Sequence, residues 1–149
     1  MGAMTVGEVM NRVPSLQETA TLRQAVEMVF ADKQPYIPIL CGQTVVGILT
    51  ENDVRRALPE VLEGLSTNEY HVALGTKTVS TVMSRNVITV TPNTLLAAAV
   101  EQLLSVPYTC LPVTNDGKLV GLLTKTDCLR ALASLLTETA NNSQSHMLM

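Results

Sequence analysis

An internal repeat constrains this chain more than any other feature of its sequence. Residues 13–58 align without a gap on residues 87–132, at a constant offset of 74 positions. About 14 of roughly 46 aligned positions are identical, which marks two copies of one supersecondary unit. The identical pairs include Pro38 and Pro112, Gly47 and Gly121, Thr50 and Thr124, and Asp53 and Asp127. We therefore expect two similar halves that pack together.

The segment in front of each copy also matches, after a shift of one residue, so each unit has its own lead-in. Between the units, Ser66 and Glu69 have the spacing of a capping box, which predicts a short connecting helix. Residues 1–3 are interpreted as a cloning remnant ahead of a native Met4. The predicted organisation is a first repeat at 5–58, a linker at 59–77, a second repeat at 78–136 and a tail, expected to be disordered, at 137–149.

In both copies the spacing of apolar residues predicts the same order of strands and helices. The β-branched stretch Val87–Val90 predicts a strand, and Pro14–Leu16 is its weaker counterpart. Apolar residues then recur with the spacing of an amphipathic helix. A hairpin follows, with the turn Asn115–Gly117 in the second copy, and a second helix comes after it. Pro59 is expected to end that helix early in the first copy.

The unit order is therefore β-α-β-β-α. One unit of about 60 residues could hardly cover a three-stranded sheet and two one-sided helices by itself. The predicted fold class is α/β (α+β), with tandem repeats packed as a pseudo-two-fold pair. The second helices still keep apolar stripes, which predict a homodimer. These stripes include Val54, Leu58, Leu132 and Leu136.

Composition excludes several classes of protein. The formal net charge is −3 and only 15% of residues are charged, so no basic surface for nucleic acid is expected. No apolar run reaches the roughly 20 residues that span a bilayer, and the N-terminus lacks the pattern of a signal peptide. The three cysteines are far apart and match neither a zinc site nor a redox pair. We expect a cytoplasmic protein that binds neither nucleic acid nor membrane.

The repeated Thr-x-x-Asp element has a physical basis for binding a ligand. Thr50 and Thr124 stand where a buried strand passes into a helix, so free backbone N–H groups and the positive end of the helix dipole meet there. The carboxylates of Asp53 and Asp127 can accept both hydroxyls of a ribose. The same spacing is that of a helix capping box, so a purely structural role is the alternative.

The sequence contains no arrangement typical of catalysis. An enzyme would need a nucleophile with a base, a paired acid and base, or a metal cluster. His71 and His146 have no partner at metal-ligand or triad spacing. Glu27 and Glu101 are expected on polar, solvated faces of helices. We therefore expect no enzymatic activity, no metal and no required cofactor.

Each copy has a Met-ended lead-in, a Val/Thr strand, a helix, a Leu-Pro-Val type of strand and a Gly-aliphatic-aliphatic-Thr-x-x-Asp element. This order resembles the cystathionine-β-synthase-type (CBS) domain pair, or Bateman module, over residues 5–136. The linker stretch Leu65–Tyr70 also resembles stand-alone bacterial CBS-pair proteins related to those of acetoin utilisation. The resemblance implies a regulatory module with two clefts between its repeats. Each cleft would hold AMP, ADP, ATP or S-adenosylmethionine, and the module would act alone or on an unidentified target protein.

The resemblance also implies which residues bind the nucleotide. The Asp of each element would take the ribose hydroxyls, and the Thr would lie near the phosphate. The adenine would lie just before the Leu-Pro type of strand of the other repeat, and Val13 and Val87 would complete the walls. Independently of the resemblance, Arg85 follows a lead-in methionine and could reach a phosphate, with a solvated surface arginine as the alternative. The candidate nucleotide-binding residues are Thr50, Asp53, Thr124, Asp127, Gln34, Pro35, Ile37, Tyr108, Thr109, Leu111, Val13, Val87, Arg85 and Lys125.

The two clefts are not expected to be equal. The residue after the Thr is Glu51 in the first repeat and Lys125 in the second, which reverses the charge where a phosphate would lie. We expect the second cleft to hold a multiply phosphorylated ligand more tightly. The first repeat departs from the pattern at Pro14 and at the turn Cys41–Gln43. These departures keep open an alternative, a ligand-free dimerisation module with degenerate clefts.

Overall fold

The computed structural model describes residues 3–62, 64–105 and 110–147, and its elements recur in the predicted order. The first repeat contains α1 (Val6–Val9), β1 (Leu16–Gln17), α2 (Leu22–Val26) with a π-helical turn at Glu27–Ala31, β2 (Tyr36–Cys41), β3 (Thr44–Thr50) and α3 (Glu51–Leu62). The linker contains α4 (Thr67–Thr76). The second repeat contains a 3-10 turn at Val79–Thr81, α5 (Leu96–Ser105), β4 (Cys110–Asn115), β5 (Lys118–Thr124) and α6 (Lys125–Met147).

The two repeats differ at their first strand. In the first repeat, β1 runs parallel to β2, which pairs antiparallel with β3. In the second repeat β4 and β5 form the same hairpin, but the strand predicted at Val87–Val90 is reduced to one parallel bridge between Val90 and Val113. The Val87 N–H donates instead to the carbonyl of Arg85 at 3.0 Å. Val87 lies outside the ladder, as does its counterpart Val13 in the first repeat.

Strand alternation gives each hairpin two distinct faces. Ile37 and Leu49 are paired across the first hairpin and lie fully buried against the helices of their own repeat. The neighbouring pair, Tyr36 and Thr50, lies on the opposite face, because side chains along a strand point alternately to the two sides. That face meets the other repeat. In the second repeat the inner pair is Leu111 and Leu123, and the outer pair is Cys110 and Thr124.

The lead-in of the first repeat packs on the second repeat. Val6 is fully buried in the core of the second repeat, and its N–H donates to the carbonyl of Thr94 at 2.9 Å. A few residues later, Asn11 and Leu122 exchange two backbone hydrogen bonds of 3.0 and 2.8 Å. The first repeat is therefore joined to the second through its own N-terminal segment.

The lead-in of the second repeat packs on the first repeat in the same way. Val79 is fully buried in the core of the first repeat, and its N–H donates to the carbonyl of Ala20 at 2.9 Å. Ser84 and Ile48 exchange backbone hydrogen bonds of 3.0 and 2.9 Å. The two repeats are thus interlocked by an exchange of lead-ins, which accounts for the pseudo-two-fold pair.

The glycine of each Gly-aliphatic-aliphatic-Thr element lies under the exchanged lead-in. A Cβ atom at Gly47 would stand 2.5 Å from the sulfur of Met83 and 2.8 Å from the carbonyl oxygen of Ser84. A Cβ atom at Gly121 would stand 2.8 Å from the sulfur of Met10. Both positions require glycine because another backbone approaches so closely.

The helix ends differ from the expectations. Helix α3 continues through Pro59 to Leu62. Pro59 stands one turn before the end of the helix, so the missing N–H costs a single hydrogen bond there. The linker helix expected from Ser66 and Glu69 is present as α4, and the Ser66 side chain accepts from the Glu69 N–H at 3.3 Å.

The segment expected to be a disordered tail is helical as far as Met147. No Gly or Pro interrupts α6, and the hydroxyls of Thr137 and Thr139 donate to carbonyls four residues earlier, at 2.9 Å in both cases. The side chains of residues 132–141 are exposed. Backbone hydrogen bonding, rather than burial, therefore accounts for the extension. Among the described residues, no helix has the length and hydropathy needed to cross a membrane.

The close approach at Gly47 leads to a stability prediction. Gly47→Ala should lower the free energy of unfolding by about 1–3 kcal/mol, because the new methyl group forces the Met83 lead-in outwards. Equilibrium urea denaturation measures this change. The control is Gly75→Ala in α4, where the nearest atoms are those of the flexible Arg23 guanidinium, first met at 3.3 Å. This control should change stability little or raise it. Equal stability of the Gly47→Ala protein and the unmodified protein would contradict the described packing.

Candidate functional site

A cavity of about 390 Å³ lies between the repeats at the N-terminal end of α3, and we call it the first cleft. Both repeats contribute to its walls, so it exists only because the repeats are packed together. Its lining residues are Pro35, Tyr36, Ile48, Thr50, Glu51, Asn52, Asp53 and Arg56 from the first repeat, and Ser84 and Cys110 from the second.

Thr50 and Asp53 form a reciprocal capping box. The Thr50 N–H donates to Oδ2 of Asp53 at 2.9 Å, and the Asp53 N–H donates to the Thr50 hydroxyl at 3.1 Å. The structural role that the sequence left open is therefore real. It engages only one carboxylate oxygen, and it fixes the carboxylate at the wall of the first cleft. A capping role and a binding role are compatible at this position.

Charged side chains surround the mouth of the first cleft. Oδ1 of Asp53 accepts from Nη2 of Arg56 at 2.9 Å, although the Arg56 side chain is 78% exposed. Glu51 pairs with Arg55 one turn further along α3, also at 2.9 Å. The Glu51–Arg55 pair is exposed on both sides and contributes little to stability. Asp53 is only 13% exposed, so Arg56 can leave it where other donors replace the lost hydrogen bond, and the exposed guanidinium can then turn to an anion.

The deep part of the first cleft is largely apolar. Ile48 and Cys110 are buried there beside Tyr36. Cys110 is 3% exposed, and burial raises the pKa of its thiol to about 12. The thiol is therefore neutral at physiological pH. A flat apolar group can lie against this surface while a polar group reaches Asp53 and Arg56 at the mouth.

Some residues expected near the adenine lie elsewhere. Pro35 lines the first cleft, but Gln34 does not, and its N–H is bound to the carbonyl of Met28 at 3.0 Å. Ile37 and Leu111 are fully buried in the cores of their own repeats. These two positions are one residue out of register, since alternation along β2 and β4 brings the preceding residues, Tyr36 and Cys110, to the cleft. Tyr108 and Thr109 lie outside the described residues.

The remaining expected residues support the site or lie away from it. Val13 and Val87 pack around the buried cluster of Ile48, Cys110 and Leu122 between the sheets. Nη2 of Arg85 donates to the carbonyl of Ser80 at 3.1 Å, and Arg85 does not line the first cleft. Lys125 lines an apolar groove between α5 and α6.

The second repeat reproduces the capping box but not its surroundings. The Thr124 N–H donates to Oδ2 of Asp127 at 2.9 Å, and the Asp127 N–H donates to the Thr124 hydroxyl at 3.1 Å. Oδ1 of Asp127 accepts from the side-chain amide of Asn11 at 2.7 Å. Asp127 is only 6% exposed. The carboxylate in the second repeat therefore has a neutral partner from the opposite lead-in, where Asp53 has an exposed arginine.

Sequence reasoning missed several residues of the first cleft. Tyr36 and Cys110 could have been found by following the alternation from the buried positions of each hairpin. Ser84 could have been found by aligning the lead-ins, which places Met83-Ser84 on Met10-Asn11. Among the described residues, no group of three or more His, Cys, Asp or Glu side chains could hold a metal ion.

The sequence pattern of the CBS domain matches residues 6–60 and 79–134. The chain belongs to the CBS domain family. This CBS pair is 30% identical over 131 residues to the protein MJ1225 of Methanocaldococcus jannaschii, and the alignment covers 87% of this chain and 43% of that protein. The chain thus spans less than half the length of that relative.

Solved structures show the same fold. The CBS pair resembles an acetoin utilization protein (AcuB) from Vibrio cholerae, with 25% identity, a TM-score of 0.76 and coverage of 94% of this chain and 98% of that chain. It also resembles CBSX2 from Arabidopsis thaliana, solved in complex with AMP, with 26% identity, a TM-score of 0.71 and coverage of 89% and 98%. The expected α+β class with tandem repeats is confirmed.

The cysteines provide a test of the depth of the first cleft. Iodoacetamide at pH 8 should label Cys41 first, because that thiol is exposed, although a hydrogen bond to Glu18 raises its pKa. Cys128 should follow more slowly, since burial raises its pKa. Cys110 should react only after unfolding, because about one thiol in ten thousand is ionised four pH units below its pKa. Peptide mass spectrometry reads the order. Native labelling of Cys110 at the rate of Cys41 would contradict the described burial.

Proposed function

We propose that this CBS pair is a regulatory module that binds an adenosine-containing ligand in the first cleft, with AMP, ADP, ATP and S-adenosylmethionine as candidates. One observation carries the proposal. The cavity of about 390 Å³ combines the carboxylate of Asp53, the N-terminal end of α3 and an apolar floor from both repeats. Its volume falls within the roughly 300–1,000 Å³ typical of small-molecule sites.

Each part of such a ligand has a matching group in the first cleft. The ribose hydroxyls would donate to Oδ1 of Asp53 when Arg56 moves away, giving charge-assisted hydrogen bonds. The released guanidinium and the positive end of α3 would attract a phosphate. The adenine would lie against Tyr36, Ile48 and Cys110. The AMP complex of CBSX2, which is 26% identical to this chain, supports this class of ligand.

We also propose that the module binds its ligand without converting it chemically. It would act in the cytoplasm and regulate a target protein. Hydrolysis of a nucleotide would need a positioned water, a base and usually a metal ion. In the proposed complex Oδ2 of Asp53 caps α3 and Oδ1 accepts from the ribose, which leaves this carboxylate poorly suited to act as that base. Neutral, unpaired thiols such as that of Cys110 suit a reducing compartment.

The ligand proposal is tested by titrating the four candidate ligands calorimetrically. The Asp53→Asn protein should bind its best ligand about 10–100-fold more weakly, because charge-assisted hydrogen bonds contribute about 1.5–3 kcal/mol. Asparagine keeps an oxygen that can cap α3, so the fold is retained. In a thermal-shift assay, a ligand at about 100 times its dissociation constant should add about 2.7 kcal/mol of stability.

The matched control is Asp116→Asn, which removes the same charge at the tip of the second hairpin. Asp116 has a φ of 52°, a left-handed conformation that asparagine also tolerates. Its affinity should equal that of the unmodified protein. A loss of affinity shared by both variants would reflect net charge alone. If none of the four ligands binds the unmodified protein, an interaction module without a ligand would be favoured.

An apolar groove of about 730 Å³ between α5 and α6 supports the proposal of a homodimer. Several large apolar side chains that line it are exposed, which is costly for a monomer in water. A second copy of the chain would present the same groove about a two-fold axis and cover both. The same groove favours the alternative function, a dimerisation module whose clefts are degenerate. The exposed leucines along it are Leu95, Leu104, Leu129, Leu132 and Leu135.

The dimer proposal predicts a change of mass on substitution of Leu132. Light scattering of the unmodified protein should give twice the 16.0 kDa chain mass, and Leu132→Glu should give the mass of one chain, because a buried carboxylate opposes the interface. Leu132 is 50% exposed within one chain. Val72→Glu on α4, at a side chain that is 64% exposed, is the control and should remain a dimer. A single-chain mass for the unmodified protein would exclude the groove as a homodimer interface.

A further inference from the structure

Asn11 and Ser84 occupy equivalent positions of the two lead-ins. Each follows a methionine, and each exchanges two backbone hydrogen bonds with the middle of the opposite β3 or β5 strand, Ile48 for Ser84 and Leu122 for Asn11. The backbone therefore holds the Cα atoms of both residues in corresponding places. Asn11 contacts the Asp of the other repeat, Asp127, and Ser84 lines the first cleft together with Asp53.

The longer side chain of Asn11 reaches that carboxylate. Its Nδ2 donates to Oδ1 of Asp127 at 2.7 Å, while Oδ2 accepts from the Thr124 N–H. Both carboxylate oxygens are thus engaged by groups of the protein. Asp127 is nearly buried, and a short hydrogen bond to a charged group is strong in such surroundings. The amide also stands where a ribose hydroxyl would approach Oδ1.

The corresponding contact in the first cleft is of a different kind. Oδ1 of Asp53 accepts from Arg56, whose side chain is largely exposed and is free to turn towards solvent or towards a phosphate. Ser84, at the position of Asn11, lines a cavity that is large enough for a ligand. Arg56 stays solvated when it leaves Asp53, which lines the cavity and can receive a ligand hydroxyl in its place. Displacing Asn11 would instead leave the carboxylate of Asp127, which is 6% exposed, without its amide donor.

We infer that Asn11 closes the second cleft from within, so that the chain binds one nucleotide, in the first cleft. The inference rests on the proposed function and adds its stoichiometry and the residue that sets it. It reverses the expectation that the second cleft binds multiply phosphorylated ligands more tightly, since Lys125 lies along the α5–α6 groove and Asp127 is already engaged.

Calorimetric titration with AMP tests the inference in four proteins. The unmodified chain should bind about one AMP, and Asn11→Ser should bind about two, because serine removes the hydrogen bond that blocks Asp127. Ser84→Asn, the reciprocal change, should lose the first site while keeping the fold. Asp127→Asn should bind AMP as the unmodified chain does. Urea denaturation of each variant verifies that the loss of a site is not a loss of folding.

The outcomes separate this inference from the proposal of nucleotide binding. Two AMP molecules on the unmodified chain, or one on Asn11→Ser, would overturn the closure by Asn11 and leave nucleotide binding intact. Binding to Asn11→Ser but not to the unmodified chain would support the closure and contradict binding in the first cleft. Failure of both proteins to bind AMP would overturn both statements.

Discussion

The exchange of lead-ins is the interaction on which the rest of the structure depends. Each repeat buries the lead-in valine of its partner, Val6 or Val79, in its own core. One antiparallel bridge then joins each lead-in to the opposite hairpin, Asn11 to Leu122 and Ser84 to Ile48. Neither repeat has a complete core without the other, because the lead-in that fills each core belongs to the opposite repeat. The clefts exist only between repeats held in this way.

Much of the fold could be predicted from the sequence because it repeats. The spacing of the apolar residues predicts the hairpins and the amphipathic helices. Because the same order of elements is predicted in both copies, each copy supports the prediction for the other. The strand at Val87–Val90 could not be predicted correctly, since its β-branched residues favour a strand but only Val90, at its end, pairs with β4. The extent of α6 also escaped prediction, because polar composition carries no signal that distinguishes an exposed helix from a disordered tail.

The candidate site was only partly predictable, for a geometric reason. Thr50 and Asp53 line the first cleft, and the sequence points to them because the motif that contains them occurs twice. Ile37 and Leu111 were selected in place of Tyr36 and Cys110, because a shift of one residue along a strand exchanges the core face for the cleft face. The contact between Asn11 and Asp127 joins residues 116 positions apart. No periodic pattern within a segment indicates such a contact, and only the packing of the repeats does.

The same packing lets the two copies differ at one bridging position, residue 11 or 84, while the rest of each interface is kept. The bridges at residues 11 and 84 use backbone groups, and the glycines opposite them, Gly47 and Gly121, accommodate backbone and methionine atoms. Neither requirement restricts the side chain of the bridging residue. That residue can therefore vary between serine and asparagine while the core stays the same. Because Asn11 donates to Asp127 and Ser84 lines the first cleft together with Asp53, such a change would act on one proposed cleft and not on the other.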